Sequence, residues 1–471
     1  MKSSSENFVA NASAALADRT LKIAIDRTTG TAERKRTLAM ADFAEFPQAR
    51  ERGRRIKDHV IANLDHYLRE FERNATASGA KVHWASTADE ACAIVIDICR
   101  SVGAKRVTRV KSMLGEEIGL PDALATAGIE RVETDLAEHI VQLAGDTPSH
   151  IIWPAMHRTR EQISAMFKAQ HRQPHATEEV ADMVESARRE LRDKFLSADV
   201  GIAGANFLIA DTGQTCTVTN EGNAELTMVP PRVTIVTAGI EKLVPSLTHA
   251  FALLRLLVRS ATGAVLTQYT TFYGGPKRPG DADGPEQMHI VLVDNGRTRM
   301  LTDGLREMLR CIRCGACMNH CVVFRQIGGH AYGAVYPGPM GAVLTPEFVG
   351  LDKSRELVHA CTLNGKCQEV CPVAIPLPTL LRGWRDRSWR EGLEPTTVRF
   401  GIAFWAFLAR RPLLYRLASS FGVRGMRIFG KGWLRSIPLA GGWTAHRDFP
   451  APEGKTFMAQ YKQIRHSEKI G

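Results

Sequence analysis

The chain has 471 residues, 44% of them apolar and 24% charged, so it is long enough for two or three domains and can bury a sizeable core. No uncharged apolar run approaches the ~20 residues that span a bilayer, and the opening "MKSSSENFVANASAALADRT" lacks a long apolar run, so neither a spanning helix nor a secretory leader is expected. The net charge of +11 is uneven: residues 381–471 hold 17 Lys and Arg against 6 Asp and Glu, and the first 380 residues are neutral.

Apolar residues at helical spacing among charges predict helix over residues 46–78, "FPQARERGRRIKDHVIANLDHYLREFERNATAS". Short apolar strands then alternate with helices. "KVHW" precedes the helix "ADEACAIVIDICRSVG", and "RVTRV" precedes a helix near "GEEIGLPDALATAG". "HIIWPA" reads as a strand before "REQISAMFKAQ". Further on, "RVTIVTAGI" leads into "LVPSLTHAFALLRLLVRS", and "MHIVLVDN" closes the region. The alternation predicts an α/β domain with a mainly parallel sheet over residues 1–300. Residues 301–380 form a cysteine domain. Residues 381–471 form a basic, mainly helical tail holding five of the seven Trp: Trp384, Trp389, Trp405, Trp433 and Trp443. The tail lacks a DNA-binding motif, and charge alone does not make a nucleic-acid protein.

Three stretches of the α/β domain are too polar and glycine-rich for plain core: 111–120, 198–213 and 219–227. Each follows or connects strands, where open α/β sheets place ligands. The candidate contacts are Lys111, Glu116, Glu117, Asn206, Asn220, Glu221 and Asn223. Lys111 can pair with an anion, the carboxylates can act as acid or base, and the amides can hydrogen-bond. The alternative is that the Asn and Gly residues only shape turns. His157, near the end of "HIIWPAMH", reads as structural. "GIAGANFLIADTG" is not G-x-G-x-x-G, so no nicotinamide or flavin fingerprint is present.

Of ten cysteines, Cys92, Cys99 and Cys216 are scattered and read as buried small hydrophobes. The other seven lie between 311 and 371. "CIRCGACMNHC" has the intact x2, x2, x3 spacing of a ferredoxin motif, with Val322 in place of the usual Pro. In "ACTLNGKCQEVCP", Cys361, Cys367, Cys371 and Pro372 keep that register, but Asn364 stands at the second ligand position. One zinc site takes four ligands, fewer than a duplicated pattern of seven supplies. Crossing over the fourth ligands assigns Cys311, Cys314, Cys317 and Cys371 to one cluster, and Cys321, Cys361 and Cys367 to the other. The first cluster is expected to be [4Fe–4S]. The second is expected to be [3Fe–4S], because three thiolates suffice when one iron corner is absent and an Asn amide is a poor ligand beside sulfide. A labile [4Fe–4S] cluster with a water-ligated corner and an empty site are the alternatives. Flanks such as "TDGLREMLRC" and "DKSRELVHAC" predict a helical ferredoxin domain.

With "KSMLGEE", "ETDLAEHIVQL", "PSHIIWPAMH", "ADVGIAGANFLIADTG", "NEGN", "GIEKLVP", "IGGHAYGAVYPGPMGAVLTP" and "CPVAIPLP", the chain resembles the iron–sulfur component of the bacterial L-lactate utilisation system, a LUD domain followed by a two-cluster ferredoxin domain. The resemblance implies a cytoplasmic protein working with two partner proteins to oxidise L-lactate to pyruvate. It also implies a first domain similar to CoA-transferase and ribose-phosphate-isomerase domains. The expected role is an electron-transfer subunit of an L-lactate dehydrogenase complex. The competing reading is that the α/β domain itself binds and turns over a small 2-hydroxy acid or a nucleotide, with the clusters as its electron outlet. The tail segment "RFGIAFWAFLARRPLLYRLASSFG" is too short to span, and its Trp, Phe and Arg suit a membrane surface or a partner groove. A helix packed on the ferredoxin domain is the alternative. The expected location is the cytoplasm, with the tail as a candidate peripheral contact on the inner face of the membrane, and no nucleic-acid partner.

Overall fold

Ten strands organise the first 300 residues: β1 (Lys81–Ala85), β2 (Arg106–Arg109), β3 (Glu130–Glu133), β4 (Val200–Gly204), β5 (Phe207–Ile209), β6 (Gln214–Thr219), β7 (Val233–Gly239), β8 (Leu243–Val244), β9 (Tyr269–Tyr273) and β10 (Gln287–Val293). The computed structural model describes residues 3–429, 432–437, 444 and 447–467; Trp443 lies outside them. Six strands form one sheet in the order β1-β10-β7-β4-β2-β3, parallel throughout. β7 meets β10 from Val233↔Gln287 to Gly239↔Val293, and meets β4 from Val200↔Val233. Both faces of this sheet are covered, so β7 is buried at every position, Thr234 and Thr237 included, and its sequence is mostly apolar rather than alternating.

The two-residue period of the strands divides the core. Ala203, Val236 and Ile290 face Val60, Leu64 and Phe71 of the helices Phe46–Ala62 and Leu64–Ala77. Their neighbours Ile202, Ile235 and Val291 face Val95 and Ile98 of the helix Ala88–Ser101. Thr87 starts that helix by accepting the Glu90 N–H. A second sheet, β8-β5-β6-β9, holds an antiparallel hairpin and was not expected from the sequence.

"HIIWPA" is not a strand. The segment turns instead: the buried His150 ring accepts the N–H groups of Ile152 and Trp153 through Nδ1, and Pro154 has no N–H for a ladder. The other ring nitrogen meets Asn319 at 3.1 Å, which fixes this turn to the cysteine segment.

The cysteine segment is helical, with short helices including Gly338–Val349, Leu351–His359 and Leu377–Arg390. The expected boundaries at 300 and 380 do not match the compact units, which are Met1–Arg390 and Glu391–Gly471. Residue 380 falls inside the helix Leu377–Arg390. Downstream in that helix, Trp384 donates to Val343 O at 3.0 Å and Arg385 bonds the carbonyls of Val358 and Cys361. The compact unit also continues across residue 300, because the chain's start folds onto the cysteine segment. Arg36 donates to Val370 O at 3.0 Å, Arg50 to Cys371 O at 2.7 Å, and Ser4 N to Gly333 O at 2.8 Å.

The second unit contains the helices Thr396–Ala409, Pro412–Phe429 and Phe457–Ser467, with a short antiparallel pair, Trp433–Leu434 and Phe449–Pro450. Among the described residues no helix is long and apolar enough to cross a membrane.

Candidate functional site

The seven clustered cysteines line two separate hollows. Cys311, Cys314, Cys317 and Cys371 line one, with Met340, Ile375 and Leu377. Cys321, Cys361 and Cys367 line the other, with Asn364, Tyr332 and Leu357. The division follows the crossed sets expected from the spacing. Among the described residues, no three of these thiols are close enough to share one ion, whereas a tetrahedral zinc would hold its sulfurs about 3.8 Å apart. The donor set therefore suits a multinuclear cluster.

The two loops repeat one backbone conformation. Arg313 and Leu363, each two residues after a cysteine, are left-handed at φ 59° and 56°. Gly315 and Gly365 follow at φ 74° and 84°. Non-glycine residues seldom adopt this region, at a cost of about 1–3 kcal/mol each. Of the four that do so among the described residues, Arg313, Leu363 and Ala374 all flank these cysteines, so the strain is concentrated here. Its effect is to aim N–H groups at sulfur: Arg313 N to Cys311 Sγ at 3.4 Å, Leu363 N to Cys361 Sγ at 3.3 Å, and Ile375 N to Cys371 Sγ at 3.4 Å. Such bonds stabilise thiolates and tune cluster potentials. Burial and neighbouring thiols push Cys314 and Cys367 up to about 12. Without a cation these thiols stay protonated, and a metal cluster supplies the charge that deprotonates them. The residues thus fit iron–sulfur clusters. Burial also raises Cys99 and Cys216 to about 12, as for inert core thiols.

A third cavity, about 310 Å³, opens beyond the carboxyl ends of β2, β4 and β7. Strand addition reverses at β2, with β3 on one side and β4, β7 and β10 on the other, and such a reversal point is where open α/β sheets bind ligands. Lys111, Asn206, Asn220, Glu221 and Asn223 all line it. Lys111 donates to Ile152 O at 2.9 Å, and Asn206 Oδ1 accepts from Val218 N at 3.0 Å. Asn220 Oδ1 accepts from Gln268 N at 3.2 Å, and the buried Asn223 donates to Thr134 at 3.4 Å. Desolvation and the nearby Asp135 raise the Glu221 carboxyl above its ordinary range, although it accepts the Leu136 N–H.

Glu116 and Glu117 lie outside the cavity lining. They are adjacent on the short helix Met113–Ile118 and so point to different neighbours. Glu116 pairs with the buried Arg109. Glu117 receives both Arg297 Nη groups, at 2.8 and 2.9 Å, together with Asn295 at 2.8 Å and the Tyr336 hydroxyl at 2.7 Å. Burial opposes its ionisation, but these partners hold it below the usual carboxylate range. It is a structural anion rather than a free base.

Residues missed by the sequence reading complete the wall: Glu241, Lys242, Arg297, Arg313 and Tyr336. Glu241 bridges Arg297 at 2.5 Å and Arg313 at 3.3 Å, and the Arg313 guanidinium lies 4.7 Å from the Tyr336 ring. Position Arg313 within "CIRC" was the one available signal. His157 sits between Asp146 at 2.9 Å and Ser149 at 2.7 Å, a local tie away from both hollows.

Family models match the chain in three places: LUD domain at 68–293, 4Fe-4S dicluster domain at 307–375, and Lactate utilisation protein B, C-terminal, at 390–465. "Lactate utilization protein B" of Bacillus licheniformis is 40% identical over 470 residues, covering 99% of this chain and 98% of that one. The protein of the same name in Bacillus velezensis is 41% identical over 447 residues, 92% of each chain. This chain belongs to the lactate utilization protein B family. A third relative, "Uncharacterized electron transport protein YkgF" of Escherichia coli, is 36% identical over 475 residues, covering 100% of this chain and 99% of its own. In this family member the dicluster match contains all seven clustered cysteines, and the LUD match contains every cavity residue named from the sequence.

At the second hollow this member carries Asn364. Its side chain is exposed, and its Oδ1 accepts the Lys366 N–H at 3.1 Å, closing a local turn. Tyr332, buried on the same side, hydrogen-bonds Cys321.

Proposed function

We propose that the chain is the iron–sulfur electron-transfer subunit of a lactate utilization system that oxidises L-lactate to pyruvate. The observation that carries this reading is the sorting of seven cysteines into two hollows, four and three, inside a dicluster domain. Lactate oxidation releases two electrons and two protons. Clusters bound at these cysteines would take the electrons singly from a partner's active site and pass them to an acceptor. Cys311, Cys314, Cys317 and Cys371 would hold [4Fe–4S], and Cys321, Cys361 and Cys367 would hold [3Fe–4S]. The engagement of Asn364 Oδ1 with Lys366 supports the three-ligand reading. Two partner proteins would complete the system. We read the α/β part as CoA-transferase-like, which the six-stranded parallel sheet supports. We read the protein as cytoplasmic, with the basic tail as a peripheral membrane contact.

The test is anaerobic reconstitution, followed by iron analysis and electron paramagnetic resonance. About seven irons per chain and the paramagnetic signal of an oxidised three-iron cluster are expected. L-lactate should reduce the clusters only when the partner proteins are added. Reduction by this chain alone would overturn the subunit role.

A further inference from the structure

Both cysteine hollows are lined by uncharged side chains, yet the layers behind them differ. Behind the first set, cations gather from three distant parts of the chain. Arg36, on the helix Arg19–Ala41, donates to Val370 O at 3.0 Å. Arg50 donates to Gln368 O at 2.9 Å and to Cys371 O at 2.7 Å. The buried Lys57 donates to Glu241 O at 2.5 Å and Leu243 O at 3.2 Å, so it sits beneath the single turn Ile240–Lys242. Lys57, Lys242 and Arg313 all face Cys311, and Arg36 faces Cys314 and Cys371. Carboxylates do not cancel this charge. Glu241 is divided between Arg297 and Arg313, and Glu117 takes the rest of Arg297. Among the described residues Arg36, Arg50, Lys57 and Lys242 form no ion pair, and the buried Arg36 Nε and Arg313 Nη1 have no hydrogen-bond partner. Buried cations without an anion are costly, and an anionic group at the first cysteines offsets that cost. The second set differs. Against its backbone lies Arg385, which donates to Cys361 O at 2.5 Å, while Lys366 beside Cys367 is exposed and paired with Glu369 at 2.7 Å.

We propose that Arg36, Lys57, Lys242 and Arg313 are tuning residues for electron transfer: they raise the reduction potential at Cys311, Cys314, Cys317 and Cys371 and not at Cys321, Cys361 and Cys367. The proposal rests on the reading that both cysteine sets hold clusters, and it adds which residues of this chain set the potential of one of them. Cluster potentials follow net charge and the hydrogen bonds to sulfur. The loops supply similar hydrogen bonds, Arg313 N to Cys311 Sγ at 3.4 Å and Leu363 N to Cys361 Sγ at 3.3 Å, so the unequal factor is charge. Reduction adds one electron and breaks no bond. In the complex the partner's active site supplies that electron. The fixed cations stabilise the added negative charge, more strongly in the protein interior than they would in water. They thereby draw the electron toward the cysteine set that adjoins the sheet.

The experiment uses the full chain, reconstituted anaerobically and titrated with dithionite. Electron paramagnetic resonance reads the two potentials separately. Lys242 is the residue to change first, because among the described residues its ammonium forms no hydrogen bond, so its loss removes charge and little else. Lys242→Met should make the first cluster about tenfold harder to reduce, which for one electron is a fall of about 59 mV. Lys242→Arg should keep the original potential. Glu241→Gln removes an anion from the same layer and should move the first potential the opposite way. A loosened fold would move the two variants alike and would disturb the second potential as well. Where Lys242→Met fails to hold its iron, Lys57→Met should show the same fall and takes its place. An unchanged first potential with iron content intact, an equal shift at both clusters, or a shift of the same sign in Glu241→Gln overturns the proposal. Failure of the unaltered chain to take up iron overturns the cluster reading beneath it and is visible before any potential is measured.

Discussion

Asn364 shows how one residue can set the inventory of a cofactor. It occupies the place of Cys314 in a loop of the same left-handed conformation, so the backbone there is already shaped for a ligand. It is exposed, so a change of side chain disturbs no packing. Asn364→Cys should therefore raise iron from about seven to about eight per chain and remove the three-iron signal. Iron analysis and resonance on paired preparations check this, and about eight irons in the unaltered protein would defeat it. The cysteine sets were legible in the sequence because most of each set lies within a few residues and the fourth ligand follows from the duplicated spacing. Glu117 was not legible as a structural anion. Its arginine lies 180 positions away, and nothing local says which acid finds such a partner. Lys111, Asn206, Asn220, Glu221 and Asn223 were found because glycine-rich loops after strands are local signals.

Among the elements, the joint between the sheet and the cysteine segment rests on buried charge. The Glu117–Arg297 pair is closed by Tyr336 from the segment 328–346, and Glu241 extends it to Arg313. A buried pair gives little net stability while intact, but removing one partner strands the other charge, typically at about 3–5 kcal/mol. Glu117→Ala should lower stability by about that amount in urea unfolding. It should also loosen the first cysteine loop, seen as faster iron loss to a chelator. An exposed control such as Glu130→Ala, on β3, should change stability by under about 1 kcal/mol. A stability change in Glu117→Ala no larger than the control's would show that the joint is not carried by this pair. Strands such as β7 and β10 were legible because both are short runs rich in Val and Ile. β3, "ERVE", was hidden because its charged residues find Arg109 and Arg106 only after folding. "HIIWPA" misled because apolar composition was read without the turn that His150 and Pro154 impose.

Across the whole molecule, charge and apolar exposure coincide in the tail. The segment 396–429, which spans the helices Thr396–Ala409 and Pro412–Phe429, carries six Arg and no Asp or Glu. Phe400, Phe404 and Phe407 form an exposed stripe on the first, and Leu413, Leu417, Phe421 and Ile428 on the second. Neither helix is long and apolar enough to cross a membrane, so the expected mode is lying on a surface. Each Arg near an anionic leaflet contributes about 1 kcal/mol, and the aromatic stripe adds apolar burial. Together these exceed the few kcal/mol that make binding measurable, whereas the stripe alone, on a neutral surface, gives weaker association. Truncation after Arg390 is the informative cut, because it falls between the two compact units and spares Trp384 and Arg385. The full chain should co-sediment with vesicles containing phosphatidylglycerol. It should bind phosphatidylcholine vesicles less, and it should detach from the anionic ones as salt shortens the Debye length from about 10 Å at 0.1 M to about 3 Å at 1 M. The truncated chain should keep its iron and stay in the supernatant. Equal sedimentation of the two chains would assign the tail's exposed stripe to a protein partner instead.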